Sequence, residues 1–257
     1  MRKTVAGVVI LIILSLAFAI LPPFLEDAYE VDMSRRLSCP SPGHPFGTDT
    51  LGRDVLARVV TGGRISLSVG FLVTLMTLVT ALPAALACLH DGIVDSVLMR
   101  ICDILKALPS TLLAILLSVA MGTGVVGIVI ALTAVNIPQT ARLIRARARA
   151  VDSSLFVMAK RAMGVGNWRI LTGTILPHVL PSLLVQCAFI FSSSILAEAA
   201  LSFIGAGLPA AVPSWGGILA EGRSVIFEGW WLVVFPSLFI LLTVIALNLV
   251  ADGIEER

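Results

Sequence analysis

The chain has 257 residues, 58% of them hydrophobic and only 13% charged, with a formal net charge of +2. A soluble globule carries roughly 25% charged residues on its surface, so a water-soluble enzyme or binding domain is excluded and much of the apolar surface must face lipid. A net charge this small provides no field for nucleic acid, and none is expected as a partner. The four cysteines are scattered, with no pair at metal-ligand spacing, so neither a disulfide framework nor a metal site is expected.

Arg2 and Lys3 precede an apolar run over 5–25. The run exceeds the roughly 7–15 residues of a secretory signal, and Pro22, Pro23 and acidic residues follow it in place of a small-residue cleavage site. It is read as a retained first membrane helix entering from the cytosol. A polar stretch from Glu26 to Arg64 follows, loop-like around Pro40, Pro42, Gly43 and Pro45. Further apolar runs cover 65–89, 98–120, 124–144, 175–204 and 230–250. Each is near the ~20 residues that cross a bilayer core. The expected fold class is therefore all-α, a polytopic membrane protein of six transmembrane helices. The expected division is 1–64, first helix and outer loop, and 65–257, a five-helix core with a cytosolic loop over 145–175.

With the N-terminus inside, twelve of the eighteen Lys and Arg residues fall on the cytosolic side: Arg2, Lys3, Arg100, Lys106, Arg142, Arg145, Arg147, Arg149, Lys160, Arg161, Arg169 and Arg257. That bias sets the orientation and returns the C-terminus to the cytosol. Arg142, Arg145 and Arg149 form one helical stripe, expected to reach lipid headgroups. Asp103 is expected to pair locally with Arg100 and Lys106. Pro83, Pro109, Pro138, Pro177, Pro181 and Pro236 sit in or at the ends of spans, where each can bend its helix. Asn136 and Gln139 either hold helices together, the favoured reading, or line a pore.

Glu198 is an acid well inside an apolar run. Either it serves a pore or gate, the default for a charge at membrane depth, or the span ends earlier and Glu198 binds backbone amides at the outer interface. No Gly-Lys-Ser/Thr phosphate loop exists, because Lys3, Lys106 and Lys160 follow Arg, Leu and Ala. His44, His90 and His178 form no HExxH pair. The chain is thus not expected to be an enzyme.

From Val151 the sequence reads VDSSLFVMAKRAMGVGNWRILTGTILPHVLPSLL. Asp152 or Ser153 is the expected N-cap, and Gly164 stands where a glycine ends a helix. The helix between is too short to span a bilayer, yet Leu155, Phe156, Val157, Met158, Ala159, Ala162 and Met163 dominate it. Such a helix on the cytosolic side either lies on the membrane surface or docks into a protein groove.

This segment resembles the cytosolic signature of the binding-protein-dependent permeases of ATP-binding-cassette importers: Glu-Ala-Ala, three residues, Gly, nine residues, Ile-x-Leu-Pro. Here Met158-Ala159-Lys160, Gly164 and Leu176-Pro177 stand in register, with Met158 for the glutamate, Lys160 for the second alanine and Thr174 for the isoleucine. GTDTLGRDVLARVVTGGRISLSVG (47–70), AEAALSFIGAGLP (197–209) and PSWGGIL (213–219) resemble the dipeptide, oligopeptide and nickel subfamily, of the second of its two paired permease types. The resemblance implies the type I importer permease architecture and an ATPase-coupling helix over Leu155, Phe156, Val157, Met158, Ala159, Lys160, Arg161, Ala162, Met163 and Gly164. It implies as partners a second permease, two cytosolic ATPases holding ATP and magnesium, and an external solute-binding protein, in a bacterial inner membrane. Asp49, Arg53 and Asp54 would either contact that binding protein or form local ion pairs within a structured loop. The implied solute is a peptide, with nickel or another small solute, or an ATP-independent secondary transporter, as alternatives.

Overall fold

The computed structural model describes residues 2–21, 25, 27–89 and 92–256. Pro22, Pro23, Glu26, His90 and Arg257, named above, lie outside them. Among the described residues there are ten α-helices and no strand beyond a single bridge between Thr48 and Asp54. They are α1 (Arg2–Ile20), α2 (Val55–Ala87), α3 (Ile93–Lys106), α4 (Ser110–Met121), α5 (Val125–Asp152), α6 (Leu155–Ala162), α7 (Asn167–Ile170), α8 (Leu176–Phe203), α9 (Trp215–Arg223) and α10 (Trp231–Glu255). A π-helical turn, Leu171–Ile175, joins α7 to α8, so one span runs Asn167–Phe203.

Five helices are long and apolar enough to cross a membrane, and they match five of the six expected spans. The remaining one differs. Where one helix over 98–120 is expected, α3 and α4 meet at a bend of 92°. The break falls at Ala107, Leu108 and Pro109. Proline lacks the N–H that would continue the ladder and drives the preceding residue out of the helical region.

The bent pair still makes one crossing. Asp95, in the first turn of α3, meets Arg145 and Arg149 near the C-terminal end of α5. Near the end of α4, the Ser118 hydroxyl donates to the Ala206 carbonyl just past α8, at 2.6 Å. The pair therefore runs from the basic end of the bundle to the opposite one. Six crossings bring both chain ends to one side, and Lys3 and Glu256 indeed form an ion pair.

Two boundaries also move. Asp54 caps α2 by accepting from the Ala57 N–H at 2.8 Å, so α2 starts at Val55 and the division at 64/65 falls inside a continuous helix. α5 runs on to Asp152, so much of the expected loop over 145–175 is helical.

The arginine stripe on α5 does not reach for headgroups alone. Arg145 grips Asp95 with two hydrogen bonds of 2.6 Å, a bidentate geometry only a guanidinium offers. Arg149 adds bonds to Asp95 at 3.0 Å and to the Cys88 carbonyl at 2.9 Å. Arg142 pairs with Asp103, whose partner thus lies across the helix interface and is neither Arg100 nor Lys106. Together they clamp α3 to α5 at the basic end.

Among the described residues three apolar clusters fill the bundle, one of them, around Ile144, Val157 and Val179, at the basic end. α1 lies along α10, where Gly7 lets the backbones close up: a Cβ there would run into the Ala246 carbonyl. Only 17% of the α1 span is buried within the chain, and Val5, Val9, Ile12 and Leu16 face outward, as a lipid-facing helix requires.

Candidate functional site

The short helix α6 lies at the basic end, outside every span. Ser154, not Asp152 or Ser153, precedes its first turn. Asp152 is instead the last residue of α5 and accepts from Arg161 at 2.6 Å. Gly164 ends the helix as its spacing predicts. Its φ of +82° suits glycine, the Gly164 N–H bonds the Arg161 carbonyl at 2.9 Å, and the Val165 N–H bonds that of Lys160 at 3.1 Å. These two bonds form a Schellman stop.

α6 has two faces. Val157 is fully buried among Ile144, Ala148, Ile170, Ile175 and Val179, which glue the helix to α5 and to the base of α8. Leu155 (81% exposed) and Met163 (73%) point away, beside Met158, Ala159 and Ala162, while Phe156 is half-exposed and its ring stacks on His178 of α8. Trp168 of α7 is also exposed, at 75%, and borders a groove with Asp152 and Arg161. Of the expected docking residues, then, Val157 faces inward and Lys160 is half-covered, its Nζ donating to the Thr174 hydroxyl at 2.8 Å. Trp168 is exposed too, although it lies beyond the expected coupling helix, which ends at Gly164. A tryptophan in a basic, non-spanning stretch was the signal for it.

A second feature lies at the break between α3 and α4. A cavity of about 580 Å³ opens there between the bent pair, α5 and α8. Lys106, Ser110, Thr111, Asn136, Gln139 and Ser193 bring polar groups into its otherwise apolar wall. Asn136 bonds the Leu132 carbonyl of its own helix at 2.8 Å, and Gln139 is exposed. Neither joins two helices, so the expectation that they act as glue gives way to a place in the cavity wall.

Glu198 lies inside α8, fully buried, and does not line that cavity. Its carboxylate accepts from Ser66 of α2 at 2.9 Å and from Ser202 at 2.8 Å. The span does not end before it, and it binds hydroxyls rather than interfacial amides.

The outer-loop residues are likewise engaged within the chain. Asp49, fully buried, accepts from the Leu51 and Arg53 N–H groups at 2.8 and 3.0 Å and from Arg53 Nε at 2.6 Å, and pairs with Arg58. Glu221 of α9 takes Arg58 at 2.6 Å and Arg53 at 3.3 Å. Asp54, besides capping α2, meets His44 at 2.9 Å. Asp49, Arg53 and Asp54 therefore form ion pairs inside the loop, and the network extends to a helix more than a hundred residues away. Among the described residues, no group of three or more His, Cys, Asp or Glu could hold a metal ion.

Residues 77–257 match the family model for the binding-protein-dependent transport system inner membrane component. The chain belongs to that family. This permease is 37% identical over 261 residues to the dipeptide transport system permease protein DppC of Alkalihalophilus pseudofirmus, covering 100% of this chain and 86% of that one. It is 37% identical over 254 residues to the glutathione transport system permease protein GsiD of Pectobacterium atrosepticum, covering 98% and 84%. Its fold is that of a type I importer permease: the inward-facing MetNI methionine ABC transporter superposes with a TM-score of 0.62 at 17% identity, over 77% of this chain and 97% of that one.

Proposed function

We propose that this permease forms, with a second permease, the membrane path of an ATP-driven peptide importer. Its basic end faces the cytosol, where two ATPase subunits, holding ATP and magnesium, grip α6 and its counterpart. The observation that carries the reading is the bare apolar face of α6, outside every span. Apolar surface of this kind, rimmed by Arg161 and Arg169, is unfavourable in water and suits a protein groove. The kinship with permeases named for dipeptide and glutathione transport supports a short peptide as the solute.

The cavity at the α3–α4 break is this subunit's wall of the path. Polar side chains facing lipid cost free energy, whereas carboxamides and hydroxyls facing a wet channel can bind peptide amides. An external binding protein delivers solute to the opposite end. Closure of the ATPase pair on ATP draws the two α6 helices together and turns the path outward.

The test is a pull-down of tagged permease with its ATPase subunits. Leu155→Asp and Met163→Asp alter only outward side chains, so both variants are expected to fold while ATPase recovery drops at least about tenfold, a loss of some 1.4 kcal/mol or more. Full recovery with both variants would refute the docking role. Gln139→Trp should block solute uptake and leave ATPase recovery unchanged; undiminished uptake would move the path elsewhere.

A further inference from the structure

Two of the positions at which this chain departs from the family signature, Lys160 and Thr174, touch each other. They belong to a two-rung ladder between α6 and the base of α8. In one rung Lys160 Nζ donates to Thr174 Oγ1 at 2.8 Å. In the other the Phe156 ring stacks on His178, with centroids 5.4 Å apart. The rungs are one helical turn apart on each strand of the ladder and run in opposite directions, so α6 lies antiparallel along these residues. Val157 closes the space beside them against Ile175 and Val179.

The ladder does not end on ordinary helix. Thr174 lies in the π-helical turn, where the Leu176 N–H reaches back five residues to the Leu171 carbonyl. Pro177 follows and has no N–H to give. His178 Nδ1 bonds the Thr174 carbonyl at 2.7 Å, bracing the turn from the side chain. Wide single turns of this kind mark places where a helix can shift register or bend. The ladder thus fastens the exposed helix to a deformable turn at the base of the long span that carries Glu198 and one wall of the cavity.

We infer that the Lys160–Thr174 and Phe156–His178 contacts are the linkage by which displacement of α6 swings α8 about the π turn, with Lys160 and Thr174 as positioning residues for transport. This rests on the proposal that ATPases grip α6. The outward face of α6 binds the motor and the ladder face passes the movement on, so the two roles are separable by mutation. Lys160→Met and Thr174→Val remove the hydrogen bond and keep side-chain volume.

The experiment uses the whole complex, permease pair, ATPases and binding protein, reconstituted in liposomes with a labelled dipeptide as probe. Lys160→Met and Thr174→Val are expected to retain the ATPase subunits and continue hydrolysing ATP. Solute moved per ATP should fall about tenfold, the factor a charged hydrogen bond of roughly 1.4 kcal/mol corresponds to. Lys160→Arg and Thr174→Ser, which keep a donor and an acceptor, should stay within about twofold of the parent. Unchanged solute per ATP in both disrupting variants would overturn the linkage, and so would loss of ATPase recovery in them, since the contact would then serve docking. If the unmodified permease itself retained no ATPase subunit, the functional proposal would fall, and this inference with it.

Discussion

Arg58→Met is expected to destabilise the folded permease by about 3–5 kcal/mol, the cost of leaving buried charge without its partner. Arg58 is 3% exposed and lies between the buried carboxylate of Asp49 and that of Glu221. Methionine fills a similar volume, so the loss is one of charge compensation rather than of packing. Arg53 still touches both acids, but its bonds to Glu221 are long, at 3.3 Å. The measurement is the thermal midpoint of the purified protein in detergent micelles, followed by intrinsic tryptophan fluorescence. Trp231 suits the purpose, because its indole N–H donates to the Thr48 carbonyl in the same loop at 2.9 Å. Glu221→Gln combined with Arg58→Met should recover part of the loss, because Glu221, whose remaining arginine bonds are the 3.3 Å ones from Arg53, then carries no charge. A midpoint unchanged by Arg58→Met alone would show that water or lipid headgroups compensate these acids.

The second large effect is expected at Glu198. Glu198→Leu removes the acceptor for Ser66 and Ser202, and each buried hydroxyl left without a partner costs about 1–3 kcal/mol. The damage should spread, because the Ser202 hydroxyl also accepts the Leu208 N–H at 3.2 Å and so holds the turn after α8. α2 and α8 would loosen together. Glu198→Gln keeps one carbonyl oxygen and should lower the thermal midpoint far less. The pair of variants separates two roles. If Glu198→Gln folds and transports within about twofold of the parent, the residue is a polar pin between helices. If it folds with an unchanged midpoint yet stops transport, a carboxylate at that depth acts in the gate itself.

The first pattern is favoured by where Glu198 lies. A lone acid in an apolar run is conspicuous in sequence, and Glu198 is indeed enclosed within a long apolar helix. The run does not say which way the side chain points. Ser66, its partner, is 132 positions away and unremarkable in its own segment. Similarly, Asp49, Arg53 and Asp54 look like a charged loop free to meet a partner. Arg53 instead reaches Glu221, 168 positions away, while Asp49 and Asp54 are held within the loop and the start of α2.

The helix α6 was more legible. Its apolar content, its length and its glycine stop are local properties, and Gly164 has the left-handed conformation that the stop requires. Only its faces were hidden. Val157 and Leu155 are both apolar and two positions apart, yet one is fully buried and the other 81% exposed. The bend between α3 and α4 was half-hidden too. Pro109 marks the place, but Pro83 and Pro138 lie within α2 and α5 as single continuous helices.

The amino-acid sequence by itself determined what depends on a few neighbouring residues. That covers the apolar runs, the side on which basic residues collect, the non-spanning helix and its glycine terminator. Tertiary structure alone decided which face of each span meets protein, which acid each arginine of α5 holds, and that Asn136 and Gln139 line a cavity. The physical reason lies in the solvent. In water an apolar face must turn inward, so periodicity reveals the core; in lipid an apolar face is equally content against a neighbour or an acyl chain. Composition can then announce the span, and only the packing of helices distant in sequence can say where each side chain points.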